Sequence, residues 1–277
     1  MLEKDVIPAW GSLSVREVTK THVRSLMNSL LARGCTTTAN RTFALIRKMF
    51  NWAEEGGLIE ISPCHRVRPP ANEVPRDRVL SKAEIIKFWN SLESEDVNIT
   101  RSLALALKLI LVTGQRKGEV AALKWDEVDL DKGEWNLPAV KTKKKRRPHV
   151  VPLSRQALEL LMELKTQSGD SNSPWVFPSR IKSRGAINKM TLDHVINKNR
   201  AKMGIENFTP HDLRRTAATG MGELGYSGEI IGKVLNHTTK SVTGIYNRYD
   251  MAKEKREALE AWSEHLRSVV KGEAQSS

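Results

Sequence analysis

The chain has 277 residues, which is enough for two domains with separate cores, and its formal net charge is +13. This excess of lysine and arginine favours a polyanionic partner, with nucleic acid ahead of an anionic membrane surface. The sequence contains no apolar run long enough to span a bilayer, no signal peptide and no CxxC pair, so it predicts a cytoplasmic protein with no disulfide framework and no zinc site.

Residues 1–67 are predicted to form a small helical domain. Ser14 and Glu17 have the spacing of a capping box, so a first helix is expected to begin there and to end near Gly34. A second helix is predicted over 37–55, with an apolar face directed inward. The basic residues on its opposite face are Arg41, Arg47 and Lys48. They form either a solvated face or a set of contacts to a DNA backbone, and the net charge favours DNA.

Residues 68–79 are rich in proline and arginine and have no periodicity, which is typical of a linker. A second domain is therefore predicted over 80–277. It opens with another capping box, formed by Ser81 and Glu84, and continues into a strongly apolar helix over about 99–112.

Arg116 lies between two glycines at the junction of two predicted helices. It is either a turn residue that binds helix carbonyls or a ligand for an anion. Short strands are predicted next, at 128–130, 134–137 and 150–152, and a basic hairpin separates the last two. The hairpin is either a solvated loop or a phosphate-binding tip. Its basic residues are Lys141, Lys143, Lys144, Lys145, Arg146 and Arg147.

The stretch from Thr209 to Tyr249 gathers histidines, arginines and tyrosines on predicted short helices. Thr209 is suited to cap a helix, which would place His211 and Arg214 on roughly one face, where they would suit a phosphate or another oxyanion. The apolar residues expected to anchor this helix are Leu213, Ala217, Met221 and Leu224.

A last helix is predicted over 253–270, with an apolar stripe on a charged background. This stripe either folds back on its own domain or docks on another protomer. We take as a hypothesis that it docks head-to-tail around a closed ring of protomers.

Four motifs in this order resemble those of the tyrosine recombinase family, specifically the integrases of phages and genomic islands. They are TGQRKGEV, KTKKKRRPHVVPLS, TPHDLRRT and LNHTTKSVTGIYNRY, and they lie within residues 80–260. In the N-terminal region, TANRTFALIRKMFNWAEEGGLIEISP resembles the family's core-binding domain. The resemblance implies a mainly α fold with a small antiparallel β-sheet. A helical core-binding domain would precede a catalytic domain of the DNA breaking-rejoining fold.

The resemblance also implies a function and a set of catalytic residues. The chain would be a site-specific DNA recombinase that integrates or excises a mobile element through a 3′-phosphotyrosyl intermediate. Its nucleophile would be Tyr246, with Tyr249 as the alternative. Its phosphate clamps would be Arg116 and Arg214, with Arg215 as the alternative to Arg214.

The remaining roles follow from the same motifs. His211 would handle a proton, His237 would hydrogen-bond the phosphate, and Glu119 would orient the site without reacting. The lysine that protonates the leaving oxygen would be Lys144. The alternatives to it are Lys141 and Lys143.

The partners implied are double-stranded DNA with attachment-type core sites and, in the synapse, a homotetramer of this chain. An excision factor and a host DNA-bending protein are further candidate partners. The resemblance implies no cofactor, metal, ATP or membrane, and a location at the bacterial nucleoid. Many such integrases carry an additional N-terminal arm-binding domain, and nothing here precedes the core-binding module. Either this chain is a fragment of a longer protein, or the protein acts without that domain. The alternative functions are type IB topoisomerase-like DNA relaxation and non-catalytic DNA binding on the same scaffold.

Overall fold

The computed structural model describes residues 1–73, 76–139, 148–169, 172–181, 185–237 and 251–272. The chain divides into two compact units, Met1–Arg76 and Asp77–Ser277, and each has its own hydrophobic core. The boundary between the units lies within the stretch 68–79, for which the sequence predicts a linker.

The first unit is helical. A π-helical turn, Leu2–Val6, continues into α1 (Ile7–Trp10), and α2 (Lys20–Ala32) and α3 (Thr36–Glu55) follow. Trp10 and Phe50 pack edge-on in the core, with ring centroids 6.3 Å apart. The buried face of α3 is the one predicted, with Ala39, Phe43, Ile46, Phe50 and Ala53. The exposed basic residues on its other side are Arg41, Arg47 and Lys48.

The predicted start of α2 is wrong. Ser14 and Glu17 do form a contact, because the Ser14 N–H donates to Glu17 Oε2 at 2.6 Å, but they do so in a separate turn. The helix begins at Lys20 instead, after Thr19, whose N–H donates to His22 Nδ1 at 3.1 Å. Two boxes compete for this start, and the one formed by Thr19 stands directly before the apolar stripe.

The second unit contains eight α-helices and a 3-10 helix, Trp125–Glu127, in its described ranges. The α-helices are α4 (Lys82–Ser91), α5 (Arg101–Thr113), α6 (Lys117–Ala121), α7 (Arg155–Ser168), α8 (Lys189–Met203), α9 (Pro210–Glu223), α10 (Gly228–Val234) and α11 (Ala252–Lys271). None of the helices in the described part of the chain is both long enough and apolar enough to cross a membrane.

A small antiparallel sheet completes this unit. Its strands are β1 (Val128–Asp129), β2 (Glu134–Leu137) and β3 (His149–Pro152), in the order β1-β2-β3. Trp135 of β2 is paired with Val151 of β3, and both are buried in the core. The predicted class, mainly helical with one small antiparallel sheet, is confirmed.

Helix α5 runs through the middle of this core. Its residues from Ala104 to Thr113 are all buried, as expected for a helix that is apolar on nearly every side, and the one charged residue among them, Lys108, pairs with Glu93. The helix ends at Gly114, whose φ of +65° lies in the left-handed region that favours glycine. A Cβ atom at this position would also come within 3.1 Å of the Leu235 side chain. The end of α5 and the end of α10 are therefore in close contact.

Helix α11 packs against its own unit, which is the first of the two alternatives for its apolar stripe. Head-to-tail docking on another protomer stays a hypothesis. The residues of its apolar stripe are buried in the core: Leu259, Trp262, Leu266 and Val269. The indole N–H of Trp262 donates to the Leu111 carbonyl oxygen at 2.9 Å. A Cβ atom at Gly220 of α9 would lie 2.1 Å from the Trp262 ring, so only glycine leaves room for it. An apolar stripe shows that a helix is covered but does not identify the covering surface.

Candidate active site

The N-terminus of α9 is fixed by the cap that the sequence predicts. Thr209 precedes the helix, and its N–H and hydroxyl both donate to Asp212 Oδ2 at 2.9 Å. Leu213, Ala217 and Met221 are buried as predicted, whereas Leu224 lies beyond the end of the helix and is exposed. This anchoring holds the first turns of α9 against α5.

Arg214 is almost wholly buried, with 2% of its surface exposed. Its Nη1 donates to the Gly114 carbonyl oxygen at 2.8 Å, and its Nη2 donates to the Leu235 carbonyl oxygen at 2.6 Å. One guanidinium thereby joins the end of α5 to the end of α10. The planar group suits this task because its N–H donors point in fixed directions.

Arg116 is the residue directly before α6, and its side chain is 25% exposed. Its Nη1 donates to Glu119 Oε1 at 2.8 Å, and its backbone N–H donates to Glu119 Oε2 at 3.0 Å. Its Nη2 donates to the Asn236 carbonyl oxygen at 3.3 Å. Glu119 is buried, so it both caps α6 and holds the guanidinium in one orientation.

The two guanidiniums are close enough to influence each other. Burial, followed by the neighbouring charge of Arg116, lowers the pKa of Arg214 to about 10, and the Glu119 carboxylate opposes this shift. At neutral pH Arg214 is still charged. Two guanidiniums thus share one carboxylate, and the net positive charge that remains favours the binding of an anion beside them.

His211 is exposed, but it feels the same charges. Burial of part of its ring, followed by the charges of Arg215 and Arg214, lowers the pKa of its imidazole, and Asp212 acts in the opposite direction. The imidazole is therefore neutral at physiological pH. A neutral imidazole can accept a proton.

The structure brings together three of the predicted catalytic residues, Arg116, His211 and Arg214, and the predicted supporting residue, Glu119. His237 follows Asn236 directly, is exposed, and donates its backbone N–H to the Gly232 carbonyl oxygen at 2.8 Å. Arg215, the alternative to Arg214, forms an ion pair with Asp212 at 3.2 Å. This pairing favours Arg214 as the clamp.

Several predicted residues lie outside the described part of the chain. They are the two tyrosines, Tyr246 and Tyr249, and the hairpin residues Lys141, Lys143, Lys144, Lys145, Arg146 and Arg147. The described ranges contain no group of three or more histidine, cysteine or acidic side chains placed to bind a metal ion. The basic face of α3 belongs to the other unit.

Sequence reasoning missed two buried residues beside the site. Gln115 donates from Nε2 to the Thr113 and Val234 carbonyl oxygens, both at 3.0 Å. His149 places its Nε2 3.2 Å from the same Val234 oxygen, a contact that requires a proton on Nε2. The only sequence signal for a role of these two residues was their place in the motifs. Gln115 directly precedes Arg116, and His149 is the first residue of β3, after the hairpin.

Two family models match the chain. Residues 78–253 match the Phage integrase family, and residues 1–69 match the Phage integrase central domain. Prophage integrase IntA of Escherichia coli (strain K12) is 28% identical over 277 residues, which cover 98% of this chain and 64% of IntA. Prophage integrase IntZ of the same strain is 30% identical over 275 residues, covering 98% of this chain and 65% of IntZ. The chain thus spans slightly less than two thirds of the length of these relatives.

Solved structures have the same fold. A lambda integrase dimer bound to a COC′ core site matches with a TM-score of 0.68 at 20% identity, covering 91% of this chain and 87% of that chain. A lambda integrase tetramer bound to a Holliday junction matches with a TM-score of 0.68 at 21% identity, covering 90% and 70%. Because the first family model alone spans residues 78–253, well over half of the sequence, the chain belongs to the phage integrase family.

Proposed function

We propose that this chain is a site-specific DNA recombinase that integrates or excises a mobile element through a 3′-phosphotyrosyl intermediate. The observation that carries the proposal is the convergence of Arg116 and Arg214 beside His211, with one carboxylate, Glu119, between the charges. Two guanidiniums with one balancing carboxylate suit a phosphodiester. Membership of the phage integrase family supports the same reaction.

The first step is the capture of the scissile phosphate. Each guanidinium has five N–H donors, and the contacts named above use two in each case, so each can also bind phosphate oxygens. Negative charge accumulates on the equatorial oxygens in the transition state, and fixed guanidiniums stabilise that charge without having to reorganise.

The second step is attack on phosphorus by Tyr246. The phenol has an ordinary pKa of about 10, so it needs a base near neutral pH. His211 accepts the phenolic proton, which its lowered pKa permits. The bond from phosphorus to tyrosine forms as the bond to the 5′-oxygen breaks, and Lys144 donates a proton to that leaving oxygen. The products are a 3′-phosphotyrosyl ester and a free 5′-hydroxyl.

The remaining steps reverse the first two on a new strand. A second 5′-hydroxyl attacks the phosphotyrosyl ester, which restores the phosphodiester and releases Tyr246. Because the ester retains the energy of the broken bond, the exchange proceeds without ATP. The guanidiniums supply the positive charge that a metal ion supplies in other phosphoryl-transfer enzymes, so we propose a metal-independent reaction. His237 completes the phosphate contacts, and Glu119 orients Arg116.

The partner is double-stranded DNA with attachment-type core sites. We assign the first unit to core-site binding, with Arg41, Arg47 and Lys48 on phosphates, and the second unit to catalysis. The basic hairpin adds phosphate contacts through Lys141, Lys143, Lys145, Arg146 and Arg147. The lambda integrase structures on a core site and on a Holliday junction support a homotetramer as the synaptic form. Such an enzyme acts at the bacterial nucleoid, and an excision factor and a host DNA-bending protein are the candidate accessory partners.

A nicked suicide substrate tests the proposal, because it traps the covalent intermediate once the cleaved strand diffuses away. Wild-type protein is expected to form a covalent adduct, whereas Tyr246→Phe forms none. No adduct with wild type would leave DNA binding without catalysis as the function. A topoisomerase would instead be established by three results together. The protein would form the adduct, would relax supercoiled DNA that lacks a core site, and would not recombine two sites.

A further inference from the structure

Three consecutive carbonyl groups at the end of α10 are bound by side chains from other parts of the unit. The Val234 oxygen accepts from Gln115, the Leu235 oxygen from Arg214, and the Asn236 oxygen from Arg116. The last carbonyls of a helix have no partner within the helix, and water or a cap usually satisfies them. His149 Nε2 also lies 3.2 Å from the Val234 oxygen. Two of these four donors are the proposed phosphate clamps, and Gln115 is a neutral residue adjacent to one of them.

Gln115 and Arg214 form parallel bridges between the same two segments. Gln115 joins the Thr113 oxygen to the Val234 oxygen, and Arg214 joins the next carbonyl on each segment. The orientation of the amide is set by these contacts, since only its nitrogen can donate to two carbonyls. The two bridges together fix the turn before α6 against the end of α10.

The two bridges differ in what they can do when an anion arrives. Arg214 carries a charge that a phosphate attracts, so substrate binding acts on the same side chain that holds the two carbonyls. Gln115 is neutral and wholly buried, so its contacts do not change with the charge beside it. Within the described residues its Oε1 has no hydrogen-bond partner, which is unfavourable for a buried oxygen. The contribution of this side chain therefore lies in its two N–H bonds.

We propose that Gln115 is a positioning residue for catalysis, an inference that rests on the proposed function. It holds the turn that carries Arg116 against the end of α10, so that both guanidiniums remain in place while they bind the scissile phosphate. It does not contact the substrate. Loss of its N–H donors lets the turn and the α10 end separate, and the guanidiniums then lose their alignment on the phosphate.

The variant Gln115→Met tests this inference, because methionine has a similar length and no N–H donor. The matched control is Gln156→Met, which removes another buried glutamine in α7, away from the site. Strand cleavage is measured in a single turnover on a nicked core-site duplex, with DNA affinity and thermal unfolding measured alongside. Gln115→Met is expected to cleave about tenfold or more slowly with affinity unchanged, since small misalignments of catalytic groups have large kinetic effects.

A second substrate separates positioning of the guanidiniums from general damage. It carries a methylphosphonate at the scissile position. This group is neutral, so its reaction depends less on stabilisation of negative charge by the two guanidiniums. On this substrate the deficit of Gln115→Met should shrink to about threefold or less, as it should for Arg116→Ala, because the lost stabilisation acts on charge. A deficit of equal size on both substrates would overturn the inference. If the methionine variant does not fold, Gln115→Asn, which keeps the amide but is too short for both carbonyls, serves in the same comparison.

The outcomes also distinguish the inference from the function beneath it. Wild-type cleavage together with unimpaired cleavage by Gln115→Met would overturn the role of Gln115 and leave the recombinase proposal standing. The absence of cleavage by wild type on either substrate would overturn both.

Discussion

Arg116 and Arg214 are held by carbonyls and a carboxylate inside the second unit, whereas Arg41, Arg47 and Lys48 project from the exposed face of α3 in the first. Charges fixed in advance act on one point, with no cost of reorganisation when the reaction occurs. Exposed charges on flexible side chains bind phosphates one by one and are screened by salt. The first set should therefore control the rate of cleavage and the second the affinity for DNA.

The largest effect is expected at Arg214. Arg214→Lys keeps the charge, but one ammonium cannot replace the planar fork between Gly114 and Leu235. Single-turnover cleavage should fall by about 10²–10³-fold, the usual loss on removing an oxyanion donor. Arg215→Lys is the neighbouring control, and its cleavage rate should stay close to that of wild type. A larger loss at Arg215 than at Arg214 would mean that the clamp is wrongly assigned.

Glu119 should have a smaller effect of the same kind. Glu119→Gln keeps the shape of the side chain but removes the charge that pairs with Arg116. We expect cleavage to slow by about tenfold, because the guanidinium loses its orientation while its charge remains. Asp193→Asn, which removes an ion pair between α8 and Lys117, is the control. Equal losses in the two variants would show that ion pairs near α6 matter only for folding.

The pH dependence of cleavage should report on His211. Burial and the charges of Arg215 and Arg214 lower the pKa of His211. Its imidazole therefore stays neutral, and able to accept the phenolic proton, down to a pH below the ordinary value of about 6.5. The acid limb of the cleavage rate should thus lie below that value in wild type. Arg215→Gln removes one of the lowering charges, so it should move the limb upward, and His211→Gln should abolish it. A limb that is unchanged in both variants would assign the titration to another group.

The same shift makes a small contribution to stability. The folded pKa lies below the unfolded one, so the unfolded chain binds more protons as the pH drops through this range. The stability due to His211 is complete above the unfolded pKa and decreases as the pH falls below it. Since the side chain is exposed, the loss should be modest, and thermal unfolding of wild type and His211→Gln between pH 5 and 8 would measure it.

The smallest effects per residue are expected on α3. Arg41→Ala and Lys48→Ala should each weaken DNA binding a few-fold and lower the salt dependence by about one ion per residue, with cleavage at saturating DNA unchanged. The control is Arg33→Ala, which removes a basic residue that pairs with Asp5. A changed cleavage rate of Arg41→Ala or Lys48→Ala at saturating DNA would show that the α3 charges also act in catalysis.

The sequence predicted those elements whose signals are local. The caps at Ser81 and Thr209 set the starts of α4 and α9, and the glycine after α5 set its end. Where two local signals competed, as Ser14 and Thr19 do, the choice was wrong. Local patterns also did not reveal which surface covers α11.

The site was predictable in part for the same reason. The motifs predicted roles for the arginines and His211, because each motif is a short run of sequence, and the structure brings these residues together. The bridges from Gln115 and Arg214 to the end of α10 join residues far apart in the chain, and no spacing rule indicates such contacts. The carbonyl acceptors are backbone groups, which the sequence does not distinguish from any others.

We expect a tyrosine of this chain to become covalently joined to DNA at the site of Arg116 and Arg214. Mapping the DNA-linked peptide from a nicked substrate tests it most directly. Proteolytic digestion after lysine and arginine separates the two candidate tyrosines, because the peptide 241–248 contains Tyr246 and the peptide 249–253 contains Tyr249. We predict that the nucleotide is attached to the peptide 241–248, and that Arg214→Lys reduces its yield. Attachment to 249–253 would contradict Tyr246 as the nucleophile, and no attached peptide would contradict covalent catalysis.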